Sequence, residues 1–483
     1  MSTAVGQIGA QRRGWTRYQA YLVFILLAVS ICNYVDRGIL PLLQELLKAE
    51  LKLRDGDLGL LTGPFFACFY ALSAIPLARL AERFNRVRLL AGMVALWSGM
   101  TALCGLASNL PSLIAFRLGV GFAEGGGVPV SHSLLSDNFP QRQRGLAMAV
   151  LSAAQPTAAM IAPIIGATIA TVWGCRAAFV TVGLSGMVLA LPVLMLREPR
   201  DAKRSAVDAS SGSDGPRSLI ADVRWLFANK AYRWLFVAGA FMGMGNGGVG
   251  VFLVSYLMRA HERTLVEAGS VLGLIGAMGL VGTLIGGYAA DRFAGERGRS
   301  YPLVCAIGAL AAAILYLAAF AQAAWLPAAG LILAAGVATD LKNGPNFAAV
   351  QNIAPARMRA TAAGVYMLGP TLIGFSIGPP LSGFLSDAFA SFLYAGPAGT
   401  FETLCGAGRG GLKITEACRA ASAAGLTTAL TIVTFAYFGA ALAFYICSRS
   451  FNHRAEAEGS VGLDRSAASI EATNKRSPTN AGE

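Results

Sequence analysis

The chain is 483 residues long, 55% hydrophobic and only 13% charged, with a mean hydropathy of +0.56. Soluble proteins carry roughly 25% charged residues, so this balance excludes an ordinary globular enzyme or binding domain and describes an integral membrane protein. The net charge of +13 does not point to nucleic acid, because the basic residues are dispersed over loops between apolar runs.

A helix that crosses about 30 Å of hydrocarbon needs about 20 residues. Twelve apolar runs reach that length, centred near residues 29, 67, 98, 124, 158, 187, 245, 278, 311, 339, 375 and 434. The expected fold class is therefore all-α, with twelve transmembrane helices. "QRRGWTRYQAYLVFILLAVS" (11–30) has the charged start of a signal peptide, but its apolar run continues into "NYVDR" (33–37) without a small-residue cleavage site, which makes it the first helix. Asp36 and Arg37 lie inside that helix. The loop after the second run reads "ARLAERFNRVR" (78–88), and the fourth run holds "RLGVGFAEGGGV" (117–128). The sixth run gives way to "REPRDAKRSAVDASSGSDGPRS" (197–218), the densest polar stretch outside the termini, which divides the runs six and six. "FMGMGNGGVGVF" (241–252) marks the seventh and "ATDLKNGPNFAAVQN" (338–352) the tenth. The glycine-rich stretches lie in spans and lack a following Lys-Ser, so they are read as close-packing sites and not as phosphate loops. Between the last two runs, "FETLCGAGRGGLKITEACRA" (401–420) carries Cys405 and Cys418 in one outward loop, where an oxidising compartment would permit a disulfide.

With the N-terminus in the cytoplasm, alternate loops and both tails hold 27 of the 39 lysines and arginines, against 9 in the opposite loops. That asymmetry predicts a multi-pass protein of the cell membrane with both termini cytoplasmic. The expected organisation is a cytoplasmic tail over 1–17, a six-helix bundle over 18–197, a cytoplasmic loop over 198–231, a second bundle over 232–449 and a disordered tail over 450–483. Two landmarks recur at a nearly constant offset: "ARLAERF" (78–84) with "GYAADRF" (287–293), and "FPQRQRGLA" (139–147) with "APARMRATA" (354–362). Duplicated six-helix halves are a common plan for transporters.

These landmarks resemble the major facilitator superfamily, over nearly the whole chain apart from its tails. The family's loop reads G-x-L-A-D-R-x-G-R-K-R; here Ala78 stands for the glycine and Glu82 for the aspartate, while Arg83, Arg86 and Arg88 occupy basic positions. The second copy keeps Gly287, Asp291 and Arg292. Within the superfamily, "NYVDR", "ERFNR" and "RLGVGFAEG" are similar to the Spinster group of lysolipid and sphingolipid transporters, with Ala123 and Gly125 departing from its usual pattern and Arg117 and Glu124 matching it. Organic-anion symporters share much of that pattern. The resemblance implies alternating access, proton coupling through Asp36 and Glu124, and pairing of Arg83 with Asp137.

The residues themselves point to a carrier. No G-x-x-x-x-G-K-[ST] or H-E-x-x-H motif is present, and His132, His261 and His453 are not spaced as metal ligands, so no enzyme chemistry, cofactor or metal is expected. A charge at the centre of a membrane helix costs about 2.5–3.5 kcal/mol on insertion scales, so such residues face a cavity or a partner. Asp36, Arg37, Arg117, Glu124, Asp340 and Lys342 form this deep set. Arg117 and Glu124, two turns apart, share a face, whereas Asp36 and Arg37 diverge by about 100°. The expectation is Asp36 beside Glu124, with Arg37 turned to a charge in the cavity. Burial favours a protonated carboxyl and a nearby arginine an ionised one, so changing surroundings load and release a proton; the alternative is a permanent ion-pair cluster. Arg37, Arg117, Asn246, Asp340, Lys342 and Asn343 are the expected substrate-cavity residues, with a helix break at Gly344 and Pro345 and no pairing of Asp340 with Lys342. Glu82, Arg83, Arg86, Arg88, Asp137, Arg144, Asp291, Arg292 and Arg359 form the expected cytoplasmic gate. The partners are then protons, the bilayer and an amphipathic lipid or small organic anion, for a monomer that binds no nucleic acid. A non-transporting receptor would be expected to carry a sizeable ordered cytoplasmic domain, which the short polar loop and tail do not supply.

Overall fold

A chain in hydrocarbon satisfies its backbone polar groups internally, and helices do this within each segment. The computed structural model describes residues 15–198, 219–293, 298–355, 358–396, 400–405 and 412–451, and these are helical, with no strand among them. Most of the expected tails (1–14 and 452–483), most of the expected central loop (199–218) and the central residues of the loop joining Cys405 to Cys418 lie outside the described residues.

Among the described residues, ten helical stretches are long and apolar enough to cross a membrane, and two local features bring the count to twelve. Leu146–Leu194 spans 49 residues, far more than one crossing needs. Its backbone turns at Gly174, whose φ of 86° is one that glycine adopts without steric cost. The expected tenth span is broken: one helix ends at Asp340 and the next begins at Asn343, so neither half alone has the length of a crossing.

The chain divides into two units, Met1–Leu53 with Phe65–Ser213, and Arg54–Pro64 with Asp214–Glu483. In unit 1, α1 (Arg17–Leu51) is capped by Thr16, whose side chain accepts from the Gln19 N–H while the Gln19 side chain returns a bond to the Thr16 N–H. It is followed by α3 (Pro64–Arg83), α4 (Arg86–Cys104), α5 (Leu110–Glu124), α6 (Gly127–Asn138), α7 (Gln141–Ser152) and the kinked α8 (Ala154–Leu194). The core of this unit gathers Leu22, Leu26, Val94, Trp97, Val120 and Leu134, among others. Unit 2 comprises α2 (Asp55–Thr62), α9 (Leu219–Ala228), α10 (Lys230–Ala260), α11 (Leu265–Arg292), α12 (Ser300–Phe320), α13 (Trp325–Asp340), α14 (Asn343–Ile353), α15 (Arg359–Leu368), α16 (Phe375–Phe392), α17 (Phe401–Cys405) and α18 (Leu412–Ser450), with a π-helical stretch at Gly369–Gly374. The short helix α9 occupies part of the expected central loop. Cys405 and Cys418 are joined by a disulfide.

Candidate transport site

In unit 1 the glycines of α5 bring the charges together. A Cβ on Gly121 would meet the Phe66 carbonyl at 2.8 Å, and one on Gly125 would strike Ser73 Oγ and the Tyr70 carbonyl. Only glycine lets α5 lie this close to α3, and that approach brings the end of α5, where Glu124 sits, against the Phe66–Ser73 turns of α3. Arg37 of α1 completes the group. Its Nε donates to Glu124 Oε2 at 2.7 Å, and its guanidinium lies 4.4 Å from the Tyr70 ring centroid, 5.3 Å from Phe66 and 5.5 Å from Tyr34. Arg117, also buried, lies 5.2 Å from the same Phe66 ring. Two cations thus contact one aromatic ring, whose quadrupole attracts each of them.

Asp36 lies near Glu124, as expected, but Arg37, expected to turn to a charge in the cavity, forms the ion pair with Glu124. Asp36 has 0% exposure, and neither of its carboxylate oxygens has a hydrogen-bond partner among the described residues. Its charged neighbours are Glu124, Arg117 and Arg37. Arg37 Nη2 and Arg117 Nε are likewise buried without a hydrogen-bond acceptor.

In unit 2 the break after Asp340 has chemical consequences. Lys342 Nζ donates to the freed Thr339 carbonyl at 3.0 Å and lies 3.8 Å from Asp340 Oδ1, so the two residues do pair, contrary to expectation, because the helix that would have held them apart has ended. The break falls at Leu341–Lys342, just before Gly344 and Pro345; Pro345 sits instead in the first turn of α14, where its missing N–H costs nothing. Asn343 donates to Asp340 Oδ1 at 3.0 Å and to Thr283 Oγ1 at 3.1 Å. Asn246 accepts from the Tyr437 hydroxyl at 2.9 Å, and Tyr437 stacks on Tyr316 with centroids 5.6 Å apart.

Among the expected gate residues, Arg86 organises the cluster. It is fully buried at the start of α4; its Nη1 contacts Asp137 Oδ2 at 2.8 Å and Ser133 Oγ at 2.7 Å, and its backbone N–H and Nε both donate to Glu198. Arg83, the expected partner of Asp137, is exposed at the end of α3, and Arg86 takes its place. Arg144 Nε donates to the Phe139 carbonyl at 2.9 Å, and Asp291 accepts from the Tyr301 hydroxyl at 3.1 Å. Arg88, Arg292 and Arg359 are exposed, and the Glu82 side chain lies outside what is described. Sequence reasoning missed Glu198, hidden in a polar run that reads as linker. It also missed Asp55 and Arg259, which form a buried pair in unit 2 from positions that read as loop and helix end.

Two helical units, a membrane-length set of spans and buried charge clusters within each unit define a multi-pass membrane carrier. The chain belongs to the Major Facilitator Superfamily, whose model matches residues 26–379; it is a transporter and not an enzyme. It is 32% identical over 392 residues to an MFS-type efflux pump of Mycolicibacterium smegmatis, covering 80% of this chain and 87% of that one. A probable L-galactonate transporter of Escherichia coli is 26% identical, with 78% and 85% covered, and the sphingosine-1-phosphate transporter SPNS2 of Xenopus tropicalis is 27% identical, with 77% and 75% covered. A solved bacterial homologue of the human lysosomal transporter Spinster, inward-facing and unoccupied, superposes with a TM-score of 0.76 at 26% identity, covering 91% of this chain and 98% of that one. The chain is Spinster-like within its superfamily.

Proposed function

We propose that the protein is a proton-coupled secondary carrier that works by alternating access and moves an amphipathic lipid with an anionic headgroup, of the lysophospholipid or sphingoid kind. The observation that carries this reading is Asp36, fully buried and without a hydrogen-bond partner among the described residues, next to an Arg37–Glu124 pair. A buried carboxylate ion with nothing to satisfy it costs far more than the neutral acid. Proton binding and release at Asp36, and exchange of Glu124 for a substrate anion at Arg37, then form one linked event: when Arg37 turns to the headgroup, Glu124 loses its counter-ion and takes a proton. The buried Nη2 of Arg37, without a hydrogen-bond partner among the described residues, supports a second contact to a phosphate or carboxylate oxygen, and the Tyr34, Phe66 and Tyr70 rings offer an apolar edge for the chain that follows the headgroup. Likeness to the sphingosine-1-phosphate transporter supports the lipid class.

The second reading, proton symport of a small organic anion such as a sugar acid, is supported by the likeness to a probable L-galactonate transporter. The biased distribution of basic residues supports both termini in the cytoplasm and residence in the cell membrane, and we take the working unit to be a monomer. Flux into proteoliposomes of sphingosine-1-phosphate, lysophosphatidylcholine and L-galactonate, each with and without an imposed pH gradient, tests the assignment. Gradient-driven movement of a lipid supports the first reading, gradient-driven movement of L-galactonate alone replaces it with the second, and flux indifferent to the gradient rejects the coupling.

A further inference from the structure

A threonine inside a helix can return its hydroxyl to the backbone one turn before. The buried Thr62, Thr339 and Thr434 do so, donating to the carbonyls of Leu58 at 2.8 Å, Ala335 at 2.5 Å and Leu430 at 2.7 Å. Thr101 of α4 is as deeply buried, at 1% exposure, yet its Oγ1 has no hydrogen-bond partner among the described residues. Its neighbours on the helix show which way it is turned. Ser98, one turn before, meets the Cys32 thiol of α1, and a Cβ on Gly186 of α8 would strike both side chains. Cys104, one turn after, has Arg117 and Asp36 as its charged neighbours. A step of three residues moves about 60° around a helix, so Thr101 lies between these two and is turned toward the Cys32–Asp36 turn of α1.

Two more groups on this side of unit 1 share the condition of Thr101. Both Asp36 carboxylate oxygens and Arg117 Nε are buried without a hydrogen-bond partner among the described residues, and the two residues are charged neighbours. An acceptor, a donor and a hydroxyl that serves as either are the partners a buried water takes, since such waters make about three hydrogen bonds to groups that otherwise have none. We propose that Thr101 and Arg117 form a hydration site for Asp36: a buried water accepts from Arg117 Nε–H, bonds the Thr101 hydroxyl and donates to the Asp36 carboxylate. Thr101 is then a positioning residue for the proton. Hydrogen bonds to a carboxylate favour its ionised form and burial its neutral one, so the water lets Asp36 release a proton while still enclosed. The other charged or titratable groups about Asp36 are Arg37 and Cys32 on α1, Glu124 on α5 and Cys104 on α4; those of α8, Cys175 and Arg176, are engaged by Glu50. The inference rests on the proton-coupling reading proposed above, and its test needs no substrate.

The measurement is infrared difference spectroscopy of the protein in liposomes across a pH series. The protonated Asp36 carboxyl is the carbonyl band that Asp36→Asn removes, and the bound water is an O–H band that shifts in water labelled with heavy oxygen. The hydration site predicts that Thr101→Val, which keeps the shape and loses the hydroxyl, removes the water band. It also predicts that the pH at which the carboxyl band is half lost rises by about one unit or more, the size of one hydrogen bond to a charged group. Thr101→Ser should keep both features as in wild type, and Thr101→Ala serves if the valine variant fails to fold. A water band unchanged without the hydroxyl, or a half-loss pH that does not move, overturns the proposal and leaves proton coupling standing. A wild type in which no Asp36 band titrates rejects coupling through Asp36, and the proposal with it.

Discussion

Asp36 and Arg37 are adjacent in sequence and separate in chemistry. One turns into unit 1 with no hydrogen bond among the described residues; the other crosses to Glu124 at 2.7 Å under the Tyr70 ring. If the ring holds the guanidinium in place, Tyr70→Ala should lower transport efficiency about threefold to thirtyfold, the range of a partly desolvated cation–π contact of about 0.7–2 kcal/mol. Tyr70→Phe, which keeps the ring, should restore most of it. A flux assay giving KM and kcat separately checks this, and equal losses in both variants would assign the effect to the hydroxyl. His261 makes a different prediction. It lies outside the spans, its Nε2 3.0 Å from the Tyr256 hydroxyl, and burial, then the nearby Arg263, holds its imidazole below the ordinary value. Its stabilising contribution is therefore complete above the unfolded value near about 6.5 and is lost as pH falls toward the lower folded value. The difference in melting temperature between wild type and His261→Gln in detergent should shrink below that pH; a constant difference contradicts it.

At the level of elements, glycines decide which helices meet. Gly125→Ala should lower the melting temperature, because the added methyl strikes Ser73 and Tyr70 and overpacking costs about 1–3 kcal/mol. Gly92→Ala, with open space around it, should be neutral or slightly stabilising, since it adds helix propensity. Thermal melts of the two variants side by side check the contrast. Existence and number of the helices were legible in the sequence because apolar runs of membrane length have few other readings. The break near residue 340 was legible as a break but not in place: proline in a first turn is harmless, and the true end, after Asp340, carries no glycine or proline of its own. The gate pairing followed a similar course, since both arginines lie in one loop and the choice of Arg86 over Arg83 depends on which begins the next helix and is buried.

For the molecule as a whole, the internal repeat and the polar central stretch foretold two helical units, but no pattern in "LRDGDLGLL" tells that residues 54–64 pack with the second. The same limit hid Glu198. Contacts between elements far apart in sequence are set by tertiary packing, and a short polar segment carries no periodic signal that names its partner. The deep charges were legible for the opposite reason: each one stands out in an apolar run, where the insertion penalty makes it improbable without a role. The central claim is that Asp36 and Glu124 couple proton movement to transport. Its most direct test is proton-driven flux in proteoliposomes for wild type, Asp36→Asn and Glu124→Gln across a range of imposed pH gradients. The account predicts that both variants lose gradient-driven accumulation, by at least tenfold, while Asp36→Asn still exchanges substrate down its own gradient. Wild-type dependence on the pH gradient in both variants would contradict it.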